Sequence, residues 1–374
     1  MDGESTPDSA SELPLELTAE VLSRLPVKTL FRFKSVCKSW RRLIESPSFI
    51  PRHLNHSVIR GDAGDPNGAR SLLVKRRCRD TGKTLISLLS GENLELVSPV
   101  DIPLDMYSPS LKVIGSCNGV VCLSHGYDDF MFLWNPATRE SRVLPKCINS
   151  HEDLWISDVP SAVTHGFGYH RAVDDYKVVR IAFQYSRGRP CFRAKVFALS
   201  EGSWREVPAL PCKVYSLDCV ALNGIVYWVA YNCGSDDMEL ILSFDMREEV
   251  FRRVYLPDLG FKPDGSCMKL AVCEQSLCLM TYNFRGRAKC LDLWVIDGGV
   301  GEESWTKRLS IGPIIGVRMP LGCGANGEIF VEKSNGGLAI YEASSETVRD
   351  LPVRGSAHSL DAHFYIESLV SITR

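Results

Sequence analysis

Long apolar runs are missing from this chain. The longest, around Ile225 to Tyr231, is strand-sized and far short of the roughly 18 residues that cross a bilayer, so no membrane span is expected. A surplus of one charge is missing too. Lys and Arg number 43 against 45 Asp and Glu, a formal net charge of −2, which argues against a general nucleic-acid binder with its strongly basic face. The first residues show neither the basic-then-apolar order of a signal peptide nor a transit-peptide pattern; residues 1–10 are acidic and small and read as a disordered tail. Cysteine is plentiful at 14, but no Cys-x-x-Cys pair stands at zinc-knuckle spacing. Most cysteines sit in apolar strand-like runs, where a free thiol behaves as a small hydrophobe. The expected setting is therefore a reducing one, cytoplasm and/or nucleus, with no metal and no cofactor, and the sequon Asn55-His56-Ser57 stays unmodified there.

What is present changes character near residue 60. Residues 13 to 50, LPLELTAEVLSRLPVKTLFRFKSVCKSWRRLIESPSFI, carry apolar positions at helical spacing: Leu17, Val21, Leu22 and Leu25, then Leu30, Phe33, Cys37, Trp40 and Ile44. Pro14 and Pro26 stand where a helix starts or stops. About three short helices follow, too few to bury a stable core unaided. Such a stub either packs on the rest of its own chain or docks on a partner. Its charges, acidic before Lys28 and basic after it through Lys34, Lys38, Arg41 and Arg42, fit a solvated helix face.

Beyond residue 60, short β-rich runs alternate with Gly, Asn, Asp and Pro turns. One phrase recurs, a strand ending in an aromatic, a polar turn, then a strand closing on Leu-Pro or similar: FLWNPATRESRVLP (132 to 145), KVFALSEGSWREVP (195 to 208), LSFDMREEVFRRVYLP (242 to 257), LWVIDGGVGEESWTKRLSI (293 to 311) and LAIYEASSETVRDLP (338 to 352), with a weaker copy at 85 to 99. A second phrase precedes several of these, as in GSCNGVVCLSH (115 to 125) and LNGIVYWVAY (222 to 231), where Asn-Gly fits a two-residue hairpin turn. Two hairpins per unit make four strands. Four-stranded units recurring at roughly 45 to 60 residues predict a β-propeller of about six blades. The final run HFYIESLVSI (363 to 372) has no partner copy and is expected to return to complete the first blade.

Both parts resemble a known family. Leu13-Pro14, Leu22-Ser23-Arg24-Leu25-Pro26, Leu30, Val36-Cys37-Lys38-Ser39-Trp40 and Leu43-Ile44 match the F-box nearly position by position, with a break near Lys38 and Ser39 as cap of the next helix. GSCNGVVCL, LWNPATRESRVLP, GFGYHRAVDDYKVVRI and KVFALSEGSWREV resemble the F-box-associated domain of plant F-box proteins rather than true kelch blades. The resemblance implies a small all-α F-box at 11–55 followed by an all-β propeller at 60–374. It implies binding of a Skp1-type adaptor, and through it of cullin and RING subunits, by the positions Leu13, Pro14, Leu22, Leu25, Pro26, Leu30, Val36, Cys37 and Trp40. It further implies an unidentified target held by the propeller for ubiquitylation, with the chain itself a non-catalytic subunit.

Four motifs are set aside. Gly322-Cys323-Gly324-Ala325-Asn326-Gly327 spells a dinucleotide fingerprint, yet a strand-like EIFVEK follows where a helix is needed. Cys117 within GSCNG imitates a nucleophile elbow, but Asn118-Gly119 fits a tight turn. Asp174-Asp175 point to opposite sides of an extended chain. Lys75-Arg76-Arg77-Cys78-Arg79 reads as a solvated strand or turn rather than a nuclear address. Target contacts are expected on insertions that no blade needs: His151 to His165, Tyr231 to Asp237, Asn283 to Arg287 and Gly312 to Pro320, with Trp155, Tyr231, Asp236, Asp237, Arg285 and Arg287 as candidates. Two rivals stay open, a cullin-independent Skp1-binding scaffold and a propeller hydrolase driven by Cys117 or the Asp174-Asp175 pair.

Overall fold

The computed structural model describes residues 14–62, 70–90, 94–103, 111–125, 130–147, 162–186, 189–214, 218–233, 238–261, 267–282, 288–297, 304–324 and 327–373. The expected tail at 1–10 lies outside them. Four helices come first: α1 (Leu15–Ser23), α2 (Val27–Phe33), α3 (Lys38–Ile44) and α4 (Phe49–Asp62). Pro14 and Pro26 stand at the N-caps of α1 and α2, where an extended residue without an N–H costs the helix nothing. The expected break before α3 is present, but the cap is not Ser39. Cys37 has the extended backbone a cap requires, φ −154° and ψ 161°, and its Sγ accepts the Trp40 N–H at 3.4 Å. Ser39 already belongs to the helix, its hydroxyl 3.1 Å from that sulfur.

Six antiparallel sheets follow. The first holds β1 (Arg70–Arg77), β2 (Thr84–Ser90) and β3 (Glu95–Val100). The second is β4 (Leu111–Cys117), β5 (Val120–His125), β6 (Phe130–Asn135) and β7 (Glu140–Val143); the third is β8 (Ala162–His170), β9 (Asp175–Ser186), β10 (Arg189–Ala198) and β11 (Ser203–Val207). The fourth has five strands, β12 (Cys212–Val214), β13 (Val220–Leu222), β14 (Ile225–Asn232), β15 (Glu239–Asp245) and β16 (Val250–Tyr255). The fifth is β17 (Met268–Cys273), β18 (Ser276–Tyr282), β19 (Ala288–Asp297) and β20 (Ser304–Ile315); the sixth is β21 (Val317–Cys323), β22 (Ile329–Lys333), β23 (Gly337–Glu342) and β24 (Thr347–Arg354). Finally β25 (Asp361–Ile366) pairs with β1, Arg70 opposite Ile366 and Lys75 opposite Asp361. The last strand thus completes the first blade, as its unpaired repeat predicted, and closes the ring.

β25, β4, β8, β13, β17 and β21 follow one another around the axis as the innermost strands. Their C-terminal ends meet on one face. Ser368, just past β25, donates to the Asn118 carbonyl at 2.6 Å beyond β4, and a Cβ at Gly224, past β13, would fall on the His170 ring at the end of β8. We call this the end face and its opposite the start face.

The core lies between blades. Trp228 of β14 is fully buried and donates its Nε1–H to the His165 carbonyl of β8 at 3.0 Å. Gly166 permits that approach, since a Cβ there would stand 2.2 Å from the indole. The outer tryptophans Trp204 and Trp305, at equivalent repeat positions, each donate at 2.8 Å to the preceding blade, at Pro145 and Tyr255. One expectation fails here. Cys273 and Cys323 are not free thiols but form a disulfide across the ends of β17 and β21, their Cα atoms 5.6 Å apart. They are equivalent positions on adjacent blades, a proximity that a separation of 50 residues hides in the sequence.

Two candidate interaction surfaces on opposite faces

The helices sit on the end face. Leu22, Val27, Leu30, Ile44 and Phe49 form one buried cluster with Leu369, edged by Leu25, Phe33, Trp40 and Ala137 of the β6–β7 turn. The helical stub is therefore not left wholly to an outside partner. One side of it packs on the segment after β25. Glu20 joins α1 to α4 through Arg52, with Arg24 adding a second guanidinium; hydrogen bonds from the two hold its carboxyl down at about 2.

The proposed adaptor positions divide accordingly. Leu22 and Leu30 are core, Leu25 and Trp40 lie at its edge, and Pro14, Pro26, Val36 and Cys37 are exposed. Leu13 lies outside the described residues. Four apolar side chains that the motif did not single out for the adaptor are also exposed: Leu15, Leu17, Val21 and Phe31. Their signal was in the sequence, since α1 and α2 hold more apolar residues than a single stripe can bury. With Val36 at 61% exposure, they give this small unit an apolar outer side that the protein itself leaves uncovered.

The start face carries the second surface. All four insertions proposed for target contact join strand ends on this face: β7 to β8, β14 to β15, β18 to β19 and β20 to β21. Of the named candidates only Tyr231 is described, half-buried at the end of β14 opposite Lys213. Trp155, Asp236, Asp237, Arg285 and Arg287 lie outside the described residues. Sequence reasoning missed other groups here. Tyr185, Met238, Tyr255, Phe261 and Ile315 are exposed on this face.

Nearer the axis is a charged cluster. Lys269 of β17 reaches Asp218 at 2.9 Å, and His363 Nε2 lies 3.0 Å from Asp361 Oδ1 on β25. Burial opposes the Lys269 charge, but Asp218 and Asp361 outweigh it and raise its pKa. Burial likewise opposes the Asp361 charge, and His363, Lys75 and Lys269 overcome it, holding the carboxylate ionised. Lys112 of β4 is pushed down, first by burial and then by the like charge of Lys75. On β21, Arg318 donates from Nε to His358 Nδ1 at 2.9 Å, and the His358 N–H donates to Glu332 at 2.7 Å.

The motifs set aside have structural explanations. Cys117 is half-buried against the core, and desolvation pushes its thiol up to about 11, the wrong direction for a nucleophile. Asn118 and Gly119 take φ of 51° and 79° in the β4–β5 hairpin. Asp174 also has positive φ and accepts from the Tyr169 hydroxyl at 2.6 Å, while Asp175 accepts from the Ser200 N–H and hydroxyl. Gly322 and Gly324 lie at the end of β21 with strand β22 following, so no helix N-terminus stands ready for a pyrophosphate.

Comparison with known proteins agrees with this architecture. Residues 10–52 match the F-box domain, and residues 89–372 match the F-box associated beta propeller domain. An F-box/kelch-repeat protein of Arabidopsis thaliana is 31% identical over 97% of this chain and 96% of its own length. The F-box protein CPR1 of the same plant is 26% identical over 96% of this chain and 88% of its own length, and another Arabidopsis F-box protein is 27% identical over 83% and 75%. A four-helix F-box unit on the end face of a six-bladed ring, matched by both family profiles, identifies the chain as a plant-type F-box protein with an F-box associated β-propeller domain.

Proposed function

We propose that this protein is the target-receptor subunit of a Skp1-cullin-F-box ubiquitin ligase, acting in the cytoplasm or nucleus. Its box, residues 11–55, docks on the Skp1-type adaptor, which brings cullin and RING subunits. Its propeller, residues 60–374, holds the target on the start face and delivers it for ubiquitylation and degradation. The observation that carries this reading is the apolar outer side of α1, α2 and the turn after them, left exposed on a unit whose inner side is already packed. The chain's contribution to rate is proximity. Tethering makes a target lysine's meeting with the ubiquitin carrier nearly intramolecular, at effective concentrations of order mM. Chemistry is left to the other subunits.

Co-purification of the full-length chain with a Skp1-type adaptor tests the first half. Leu17→Asp with Val21→Asp is expected to abolish it without lowering the melting temperature, because both side chains already face water. Leu30→Ala is expected to act differently: it removes a fully buried side chain, costs about 2–5 kcal/mol and weakens binding by loosening the box. Undiminished adaptor capture by the Leu17→Asp, Val21→Asp chain would defeat the assignment. Polyubiquitylation in a reconstituted complex separates a ligase subunit from a cullin-independent scaffold.

A further inference from the structure

Among the described residues, the charges around the axis on the start face do not balance. Lys75, Lys112, Lys269 and Arg318 stand there against Asp218 and Asp361. Both carboxylates are engaged, Asp218 by Lys269, and Asp361 by His363 with Lys75 and Lys269 beside it. Among the described residues, Lys112 has no ion pair, and Arg318 meets the neutral acceptor of His358. Arg318 also interacts electrostatically with the carboxyl of Glu332, which is fully buried, and that burial raises its pKa and works against its charge. A chain of net charge −2 has thus gathered, among the described residues, a local positive surplus at this mouth of the axis.

We propose that this axial mouth is an anion-anchoring subsite that takes a carboxylate or phosphate borne on a peptide segment of the target; the proposal rests on the target-receptor reading above. Closing the ring does not require the surplus. The Lys269–Asp218 pair and Asp361 already tie β17, the start of β13 and β25 together, whereas Lys112 and Arg318 add charge to β4 and β21 and, among the described residues, form no ion pair with a carboxylate. An anion seated between them relieves the repulsion between Lys112 and Lys75 and gains charge-assisted hydrogen bonds, about twice as strong as neutral ones. The neighbourhood selects a peptide over a free ion. Tyr185, Met238, Tyr255, Phe261 and Ile315 are exposed on the same face, across the third to fifth blades, where side chains flanking the anionic group would rest. Arginine and lysine at the mouth fix one residue of the segment, and the apolar flank reads the others.

The test uses the full-length chain bound to its Skp1-type adaptor, with lysines tagged by reductive ¹³C-methylation, which keeps their charge. Lys112→Arg and Lys75→Arg assign the two resonances by loss of signal. Inorganic phosphate is expected to shift both saturably and leave the exposed Lys146 unmoved, and Lys112→Glu is expected to weaken that binding about tenfold. Two nonapeptides, one with a single phosphoserine and one with a single Asp, both flanked by Leu and Tyr, are then added in competition. Displacement by the phosphopeptide alone supports a phosphorylated target; displacement by both supports an acidic one. Phosphate that moves every lysine alike, or neither mouth resonance, overturns the proposal, as does phosphate binding that neither peptide displaces. Adaptor co-purification is read in the same samples, so failure at the mouth is not confused with failure of the box.

Discussion

The turns joining the last two strands of a blade show how single residues fix the repeat. Asn135 Oδ1 accepts from the N–H groups of Ala137 and Thr138, and Asp245 Oδ1 accepts from those of Arg247 and Glu248. Four residues on, Arg139 and Glu249 take φ of 62° and 57°, as Gly202 and Glu346 do in their blades. A short polar side chain opens the turns at Asn135 and Asp245, and a left-handed residue closes all four. Glu249 does more than close a turn. Its carboxylate accepts from Lys177 Nζ at 2.7 Å and from Arg205, joining the third and fourth blades. Burial alone would raise its pKa, but those two hydrogen bonds prevail and lower it. Glu249→Gln leaves the buried Lys177 ammonium without its counter-charge and is expected to cost about 2–3 kcal/mol, read as a lower urea midpoint at pH 7. Because the folded pKa is depressed, this stabilisation is present above the ordinary glutamate value of 4.5 and is lost as pH falls through the folded value. The difference between wild type and variant should shrink in acid. A gap unchanged from pH 7 to pH 3 would assign it to packing instead.

At the scale of elements, much was legible and some was not. Strand-turn-strand phrases gave the blades because hairpin chemistry is local: Asn223-Gly224 adopts the positive φ pair that its sequence promised. The same geometry at Glu274-Gln275, φ 46° and 65°, is imposed by the surrounding sheet and carries no sequence mark. In the box, spacing identified the apolar residues but could not divide them, because the division depends on Leu369, more than 300 residues away in the chain. The Cys37 cap escaped notice since sulfur is a poor acceptor beside a nearby serine. His53 was also unread. It lies buried on α4, its Nε2 3.0 Å from the Leu25 carbonyl at the α1–α2 turn, and burial depresses its pKa despite that hydrogen bond. Below the ordinary histidine value of 6.5 the unfolded chain takes up the proton first, so box stability present at neutral pH is lost as pH falls through the folded value. Helical signal and adaptor binding are expected to weaken together as pH falls below 6.5, and His53→Gln to flatten that dependence. An unaltered slope in the variant would move the titrating group elsewhere.

On the scale of the whole molecule, the segment after β25 decides how the two surfaces face one another. Ser368 donates to the Asn118 carbonyl; the buried Asn135 amide donates to the Ser368 and Val370 carbonyls at 3.1 and 2.8 Å; the Ile372 N–H donates to Glu140 at 3.0 Å. Leu369, between these anchors, enters the core of the box. The segment is fixed to the second blade on one side and to the helices on the other. The receptor role proposed above would need that, since a target held on the start face would be presented in a defined direction only if the box on the end face cannot swivel. Deletion of residues 367–374 spares β25 and so keeps the ring closed, but it removes Leu369 and takes the two carbonyl acceptors from the Asn135 side-chain NH2. Hydrogen exchange on the adaptor-free protein is expected to show much faster exchange in α1 to α4, with the inner strands of blades five and six unchanged, because the lost side chains pack in the box and in the core shared by blades two to four. Loss of protection in helices and blades together would mean that the segment closes the propeller itself. Undiminished protection of the helices would mean that the box is held to the ring by other contacts.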